Sequence, residues 1–89
     1  MTEVWVFNGF DNNGFPGGIF FNREEAEQWI EKYKLTGTLT RYPVGVSVYD
    51  WAVDAGRFKP SKPKHFSSDF IGSFTTASQE HYHYECGKG

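Results

Sequence analysis

Residues 22–37 leave the backbone little choice, and the rest of the chain has to be arranged around them. Ala26, Trp29, Ile30 and Tyr33 recur at i, i+3, i+4 and i+7, which puts four apolar groups on one stripe of an α-helix among charged and amide neighbours. Asn22 is placed to cap the first turn with Glu25 as its capping-box partner, and Glu24 and Glu25 suit the positive end of the helix dipole. Lys32 and Lys34 stand at the negative end, and Gly37 is expected to release the chain through a left-handed turn.

Strand-like segments flank this helix. Val4, Trp5, Val6 and Phe7 form a β-prone run whose alternation sends Val4 and Val6 to one face, Trp5 and Phe7 to the other. Both faces are apolar, so the strand is either covered on each side or offers an aromatic face, with Phe20, as a pocket floor or dimer patch. Asp11, Asn12, Asn13 and Gly14 are a turn signal joining strands over 3–9 and 17–21, with Phe10 and Phe15 beside the polar tip. Residues 38–44 read as a third strand, expected at an edge because Pro43 lacks an N–H.

Beyond it, Ser47 resembles an N-cap with Asp50 at N3. Val48, Trp51, Ala52 and Ala55 repeat the helical stripe until Gly56 stops it, and Phe58 is expected behind this short helix. Trp29 and Trp51, both on apolar stripes, are expected in the core. Residues 59–64 are a proline-punctuated linker. Ser67 or Ser68 can cap a third short helix presenting Phe70, Ile71 and Phe74. Residues 79–86 are the last strand, with Tyr82 and Tyr84 on one face and His81, His83 and Glu85 on the other.

The order β-β-α-β-α-α-β predicts an α+β fold. Its mainly antiparallel four-stranded sheet carries one long and two short helices, packed mostly on one face. At 89 residues the chain is read as one domain, 1–89, with 87–89 as a flexible tail, since about 60–65% burial does not divide into two cores. Nine Phe, five Tyr and three Trp supply the apolar area such a core needs. Cys86 is the sole cysteine, so no intrachain disulfide forms and a reducing, cytoplasmic setting is expected. Residues 1–7 lack a signal-peptide pattern, and no run approaches the roughly 18 apolar residues of a membrane span.

Charge is uneven. Residues 1–31 carry Glu3, Asp11, Glu24, Glu25, Glu27 and Glu31 against Arg23, whereas 57–64 carry Arg57, Lys59, Lys62 and Lys64 without an acid. The plain reading is two solvated surfaces; the sharper one is an acidic helix face offered to a basic partner. Nucleic acid is a poor partner for this chain. The cations near Tyr49 and Phe58 give little counterion release against a net charge of −2.

Chemistry finds few footholds. His81 and His83 point the same way on a strand, but a metal would need Glu85 or the distant His65 to converge on them, and no Cys-x-x-Cys or His-Glu-x-x-His pattern is present. The structural alternative is a terminal strand with polar rings on its wet face. Cys86 has no cationic helix end beside it, and neither a phosphate-cradling loop nor a nucleophile elbow occurs. No metal, cofactor or catalytic residue is therefore assigned.

Taken together, Gly18–Ile19–Phe20, Glu25 to Ile30, Leu35 to Pro43, Tyr49–Asp50–Trp51–Ala52, Gly56–Arg57–Phe58 and Gln79 to Tyr84 resemble a group of small uncharacterised bacterial α+β domains. The likeness covers most of the chain and brings no established activity, so no catalytic residue transfers. What it implies is a small, acidic inhibitor or immunity-type protein.

The sequence thus predicts a non-catalytic protein-binding module. Its acidic helix face (Glu24, Glu27, Glu31) or the loop holding Asp11 and Phe15 would meet a basic protein. The alternative is a small-ligand or metal-binding protein using an aromatic sheet face, with Tyr42, Tyr49, His81 and His83 as polar contacts. A homodimer through an edge strand is a third arrangement.

Overall fold

The computed structural model describes residues 2–10 and 14–89. Strands β1 (Glu3–Gly9) and β2 (Gly18–Phe20) precede α1 (Arg23–Tyr33), and β3 (Gly37–Pro43) follows it. Then come α2 (Val48–Asp54), a 3-10 turn (Pro63–Phe66), α3 (Ser68–Gly72) and β4 (His81–Tyr84). Every strand pair is antiparallel and the sheet order is β2-β1-β3-β4. The α+β architecture with one long and two short helices is the expected one.

α1 starts as its sequence dictates, the Asn22 side chain accepting a 2.9 Å bond from the Glu25 N–H. Its exit differs from expectation. Lys34, at φ 53°, takes the left-handed position, and Leu35 N–H closes back on the Ile30 carbonyl at 3.0 Å. Gly37 instead lies within β3, where a Cβ would collide with the Asn8 carbonyl oxygen and stand 2.7 Å from the Phe7 ring. Close approach, not turn geometry, requires that glycine.

The core forms where α1 lies on the sheet. Trp5, Phe7, Leu39 and Tyr84 meet Ala26 and Ile30, and Ile30 and Leu39 are wholly buried. Each such side chain contributes about 1.5–3 kcal/mol by leaving water. Trp29 flanks this core half-buried, its ring 5.4 Å from both Phe7 and Phe20. So the aromatic face of β1 is the covered one, which overturns its reading as a pocket floor or dimer patch. The opposite face carries Val4, Val6, Thr38, Thr40, Tyr42 and the histidines, with Ile19 62% exposed.

The third strand is not at an edge. β3 runs between β1 and β4, and it tolerates Pro43 because the proline is its last residue. Arg41 N–H bonds to Glu80 O at 2.9 Å, and by alternation the missing Pro43 N–H falls beyond the end of β4.

A second aromatic cluster stands apart from the sheet core. Tyr49 of α2 packs against Phe58, Phe70 and Phe74 with centroids 5.5–6.3 Å apart, and its hydroxyl donates to the His65 carbonyl at 2.9 Å. Ser47 and Ser67 cap the two short helices. With two clusters rather than one, the molecule is elongated, 44 × 28 × 17 Å. Gly87 N–H donates to the Leu35 carbonyl at 2.8 Å, and Glu85 pairs with Lys88 in a tight turn.

Candidate functional site

The acidic face of α1 is partly engaged. Glu27 is turned to the sheet, where its Oε2 accepts from Arg23 Nε at 3.2 Å and from the Tyr84 hydroxyl at 2.5 Å. With these two partners its side chain is still 39% exposed, and it lines one shallow groove with Glu24, Gln28, Glu31 and Lys32. Glu24 and Glu31 remain exposed beside Gln28 and Lys32 on the outer side of the helix. Phe15 is 75% exposed, and Asp11 lies outside the described residues.

Around β2 apolar groups stand in water. Phe10 and Phe21 are each 82% exposed, and Ile19 and Tyr33 are also open. Ile19 lies in β2 and Phe21 just after it, and Tyr33 neighbours Trp29 at 6.5 Å, whose ring lies against Gly17 and Gly18. Phe10 instead stands beside Thr36, Gly37, His83 and Tyr84 at the other end of the sheet.

Of the predicted ligand contacts, three converge and one does not. Tyr42 and His81 line an open depression of about 440 Å³ with Thr38, Thr40 and Thr76, and His83 stands next to His81 at a ring separation of 5.2 Å. His81 Nδ1 is 2.8 Å from the Gln79 carbonyl, and His83 Nδ1 is 3.2 Å from Thr38 Oγ1. Tyr49 belongs to the other aromatic cluster, because α2 buries Tyr49 and Ala52 and leaves Trp51 half-buried. His65 is there too, its Nδ1 accepting from Ser61 N–H at 3.0 Å and Lys62 N–H at 3.2 Å, so it does not join the other histidines. Among the described residues no three His, Cys, Asp or Glu side chains gather closely enough to hold a metal.

The sequence reading missed a cleft of about 450 Å³ bordered by Glu3, Arg41, Trp51, Arg57 and Glu80. Trp51, expected in the core, forms part of its wall half-buried. Arg41 bridges Glu3 and Glu80, reaching Glu80 Oε1 at 2.8 Å. Glu80 also accepts from the Tyr82 hydroxyl, over whose ring the Arg23 guanidinium sits at 3.5 Å. The Tyr82 hydrogen bond, aided by Arg41, holds the Glu80 carboxyl below its usual range, and the same bond raises the Tyr82 hydroxyl. Tyr84 is pushed up to about 12, first by burial and then by Glu27. The only sequence clue to this chain of contacts is Glu80 and Tyr82 sharing a strand face; Arg41 enters through strand register.

None of the described helices is long and apolar enough to cross a membrane. Comparison with curated proteins and with solved structures returned no match. Residues 4–89 match the profile of a domain of unknown function, DUF7710, and the chain belongs to that family.

Proposed function

We propose that this protein is a non-catalytic protein-binding module, acting as an inhibitor or immunity-type protein on a basic partner in the cytoplasm. The observation that carries the reading is the set of exposed apolar side chains in and near β2, Phe15, Ile19, Phe21 and Tyr33. Exposed carboxylates lie next to them in sequence, at Glu24, Glu25 and Glu31. Scattered exposed apolar residues need no explanation, but a cluster bracketing one strand with charge beside it is the make-up of an interface. Aromatic anchors there would supply the binding energy, while the carboxylates steer a cationic surface into place. The lone Cys86, exposed and free, suits a reducing compartment.

The test is a pull-down from the native host, repeated with Phe21→Ala and with Glu24→Lys/Glu31→Lys. The aromatic change should speed dissociation and the charge reversals should slow association and flatten its salt dependence. A partner retained with unchanged kinetics by both variants removes this surface from consideration.

A second reading rests on the cleft at Trp51, whose about 450 Å³ is large enough for a small ligand. Its supporting features are one indole wall and the guanidinium of Arg57. A thermal-shift screen of metabolites against wild type and Trp51→Ala tests it. Absence of any shift that depends on Trp51 defeats it.

A further inference from the structure

The cleft at Trp51 has two walls drawn from different parts of the chain. One is the sheet, with Glu3 of β1, Arg41 of β3 and Glu80 just before β4. The other is α2 and its exit, which bring Trp51 and Arg57. Gly56 takes the left-handed position at φ 72°, and the Arg57 N–H closes back on the Ala52 carbonyl at 2.7 Å. Phe58 is packed against Tyr49 and Phe74, so Arg57 is held between two fixed points beside the helix that carries the indole.

The two walls carry opposite charge. On the sheet side Arg41 pairs with both Glu3 and Glu80, so two carboxylates share one guanidinium and one negative charge is left over. On the helix side Arg57 is exposed, and among the described residues no carboxylate pairs with it. A simple anion would be drawn to Arg57 and repelled by the sheet wall, and a simple cation would meet the reverse. A ligand bearing both charges satisfies both walls, and a flat apolar body on it would cover the half-buried indole.

We propose that this cleft takes a free amino acid with an aromatic side chain, its carboxylate on Arg57, its ammonium toward Glu3 and Glu80, and its ring against Trp51. The proposal rests on the cleft being a small-ligand site, the second reading of the function, and adds the chemical class of that ligand. A guanidinium grips a carboxylate through two parallel bonds, which fixes the orientation of the acid end. At about 450 Å³ the cleft has the size of an ordinary small-molecule site. None of its residues belongs to the apolar surface near β2, so that surface stays free.

Titrations of the full chain, followed by tryptophan fluorescence and amide NMR, test the proposal with phenylalanine, phenethylamine, hydrocinnamate and glycine. Phenylalanine should bind tightest, because the others lack the carboxylate, the ammonium and the ring in turn. Arg57→Gln should raise its dissociation constant at least about tenfold without weakening phenethylamine. Glu3→Gln should weaken phenylalanine and phenethylamine while tightening hydrocinnamate. Both side chains reach solvent, and near-UV circular dichroism checks that each variant is folded. Phenethylamine or hydrocinnamate binding as tightly as phenylalanine overturns the proposal. So does phenylalanine binding that either charge variant leaves unchanged, or none at millimolar concentration. A different metabolite whose binding depends on Trp51 would keep the cleft as a ligand site and end only the amino-acid assignment. No Trp51-dependent ligand of any kind ends both.

Discussion

The Tyr84 hydroxyl donates a 2.5 Å hydrogen bond to Glu27 Oε2, joining the last strand to the first helix across 57 positions. Glu27 also holds Arg23, whose guanidinium covers Tyr82. One half-buried carboxylate thus ties β4 to α1. Tyr84 is raised to about 12 by burial and by this carboxylate, against an ordinary tyrosine near 10. The folded state therefore keeps its proton where the unfolded chain has lost it. The stability linked to Tyr84 is complete below about pH 10 and lost as pH rises toward about 12. Denaturant titrations across that window should show this fall, and Tyr84→Phe should remove its share of the slope while costing about 1–2 kcal/mol at neutral pH. A slope equal in wild type and variant would show that the linkage lies elsewhere.

Arg41 provides the opposite dependence at acid pH. Glu80 is held low by Tyr82 and by Arg41, so its contribution is present above the ordinary glutamate value and lost as pH falls through the depressed one. Arg41→Gln frees Glu3 and Glu80 together. Both pairs are largely solvated, and the expected cost is below about 1 kcal/mol at neutral pH. The informative measurement is the Glu80 carboxyl titration by NMR, which should move upward in the variant. An unmoved Glu80 leaves Tyr82 as its sole effective partner.

Gly37 is held by its surroundings, not by its dihedrals. A Cβ would overlap the Asn8 carbonyl and press on the Phe7 ring at the Gly9–Gly37 end of the β1–β3 pairing. Neither neighbour can yield without breaking a ladder bond or displacing a core ring. Gly37→Ala should cost about 2 kcal/mol or more, a fall in Tm on the order of 10 °C for a chain of this size. Gly72→Ala, where a Cβ meets nothing within 4 Å, is the control. Equal effects of the two would refute this account of Gly37.

What could be read in advance follows the range of the interactions. The Ala26, Trp29 and Ile30 part of the α1 stripe, the Asn22 cap, the Ser47 and Ser67 caps and the faces of β1 and β4 are set by residues within one or two turns of each other and were legible. Tyr33, the last member of the stripe, is instead 58% exposed. Strand order was not, because Pro43 signals a missing donor but not which neighbour it would have faced. The bond from Tyr84 to Glu27 was not legible, because nothing local announces a partner 57 positions away. The cleft at Trp51 was hidden for the same reason: Glu3, Arg41 and Glu80 meet only once the register of three strands is known. Tyr49 and Tyr42 carry the same chemistry in sequence, and only the turn of α2 sends Tyr49 into a different cluster.

That separation of clusters leads to the last prediction. Ile30 and Leu39 are wholly buried between α1 and the sheet, whereas Phe58, Phe70 and Phe74 are only partly buried around Tyr49. Ile30→Ala removes packing that the whole sheet shares and should cost about 3 kcal/mol, with amide exchange accelerating everywhere. Phe58→Ala should act locally, since the rings it touches belong to residues 49–74. Hydrogen exchange followed by mass spectrometry should show α2 and α3 opening sooner in that variant while α1 and β3 keep their protection. If protection falls equally in β3, the two aromatic clusters unfold as a single unit and the elongated shape has no counterpart in stability.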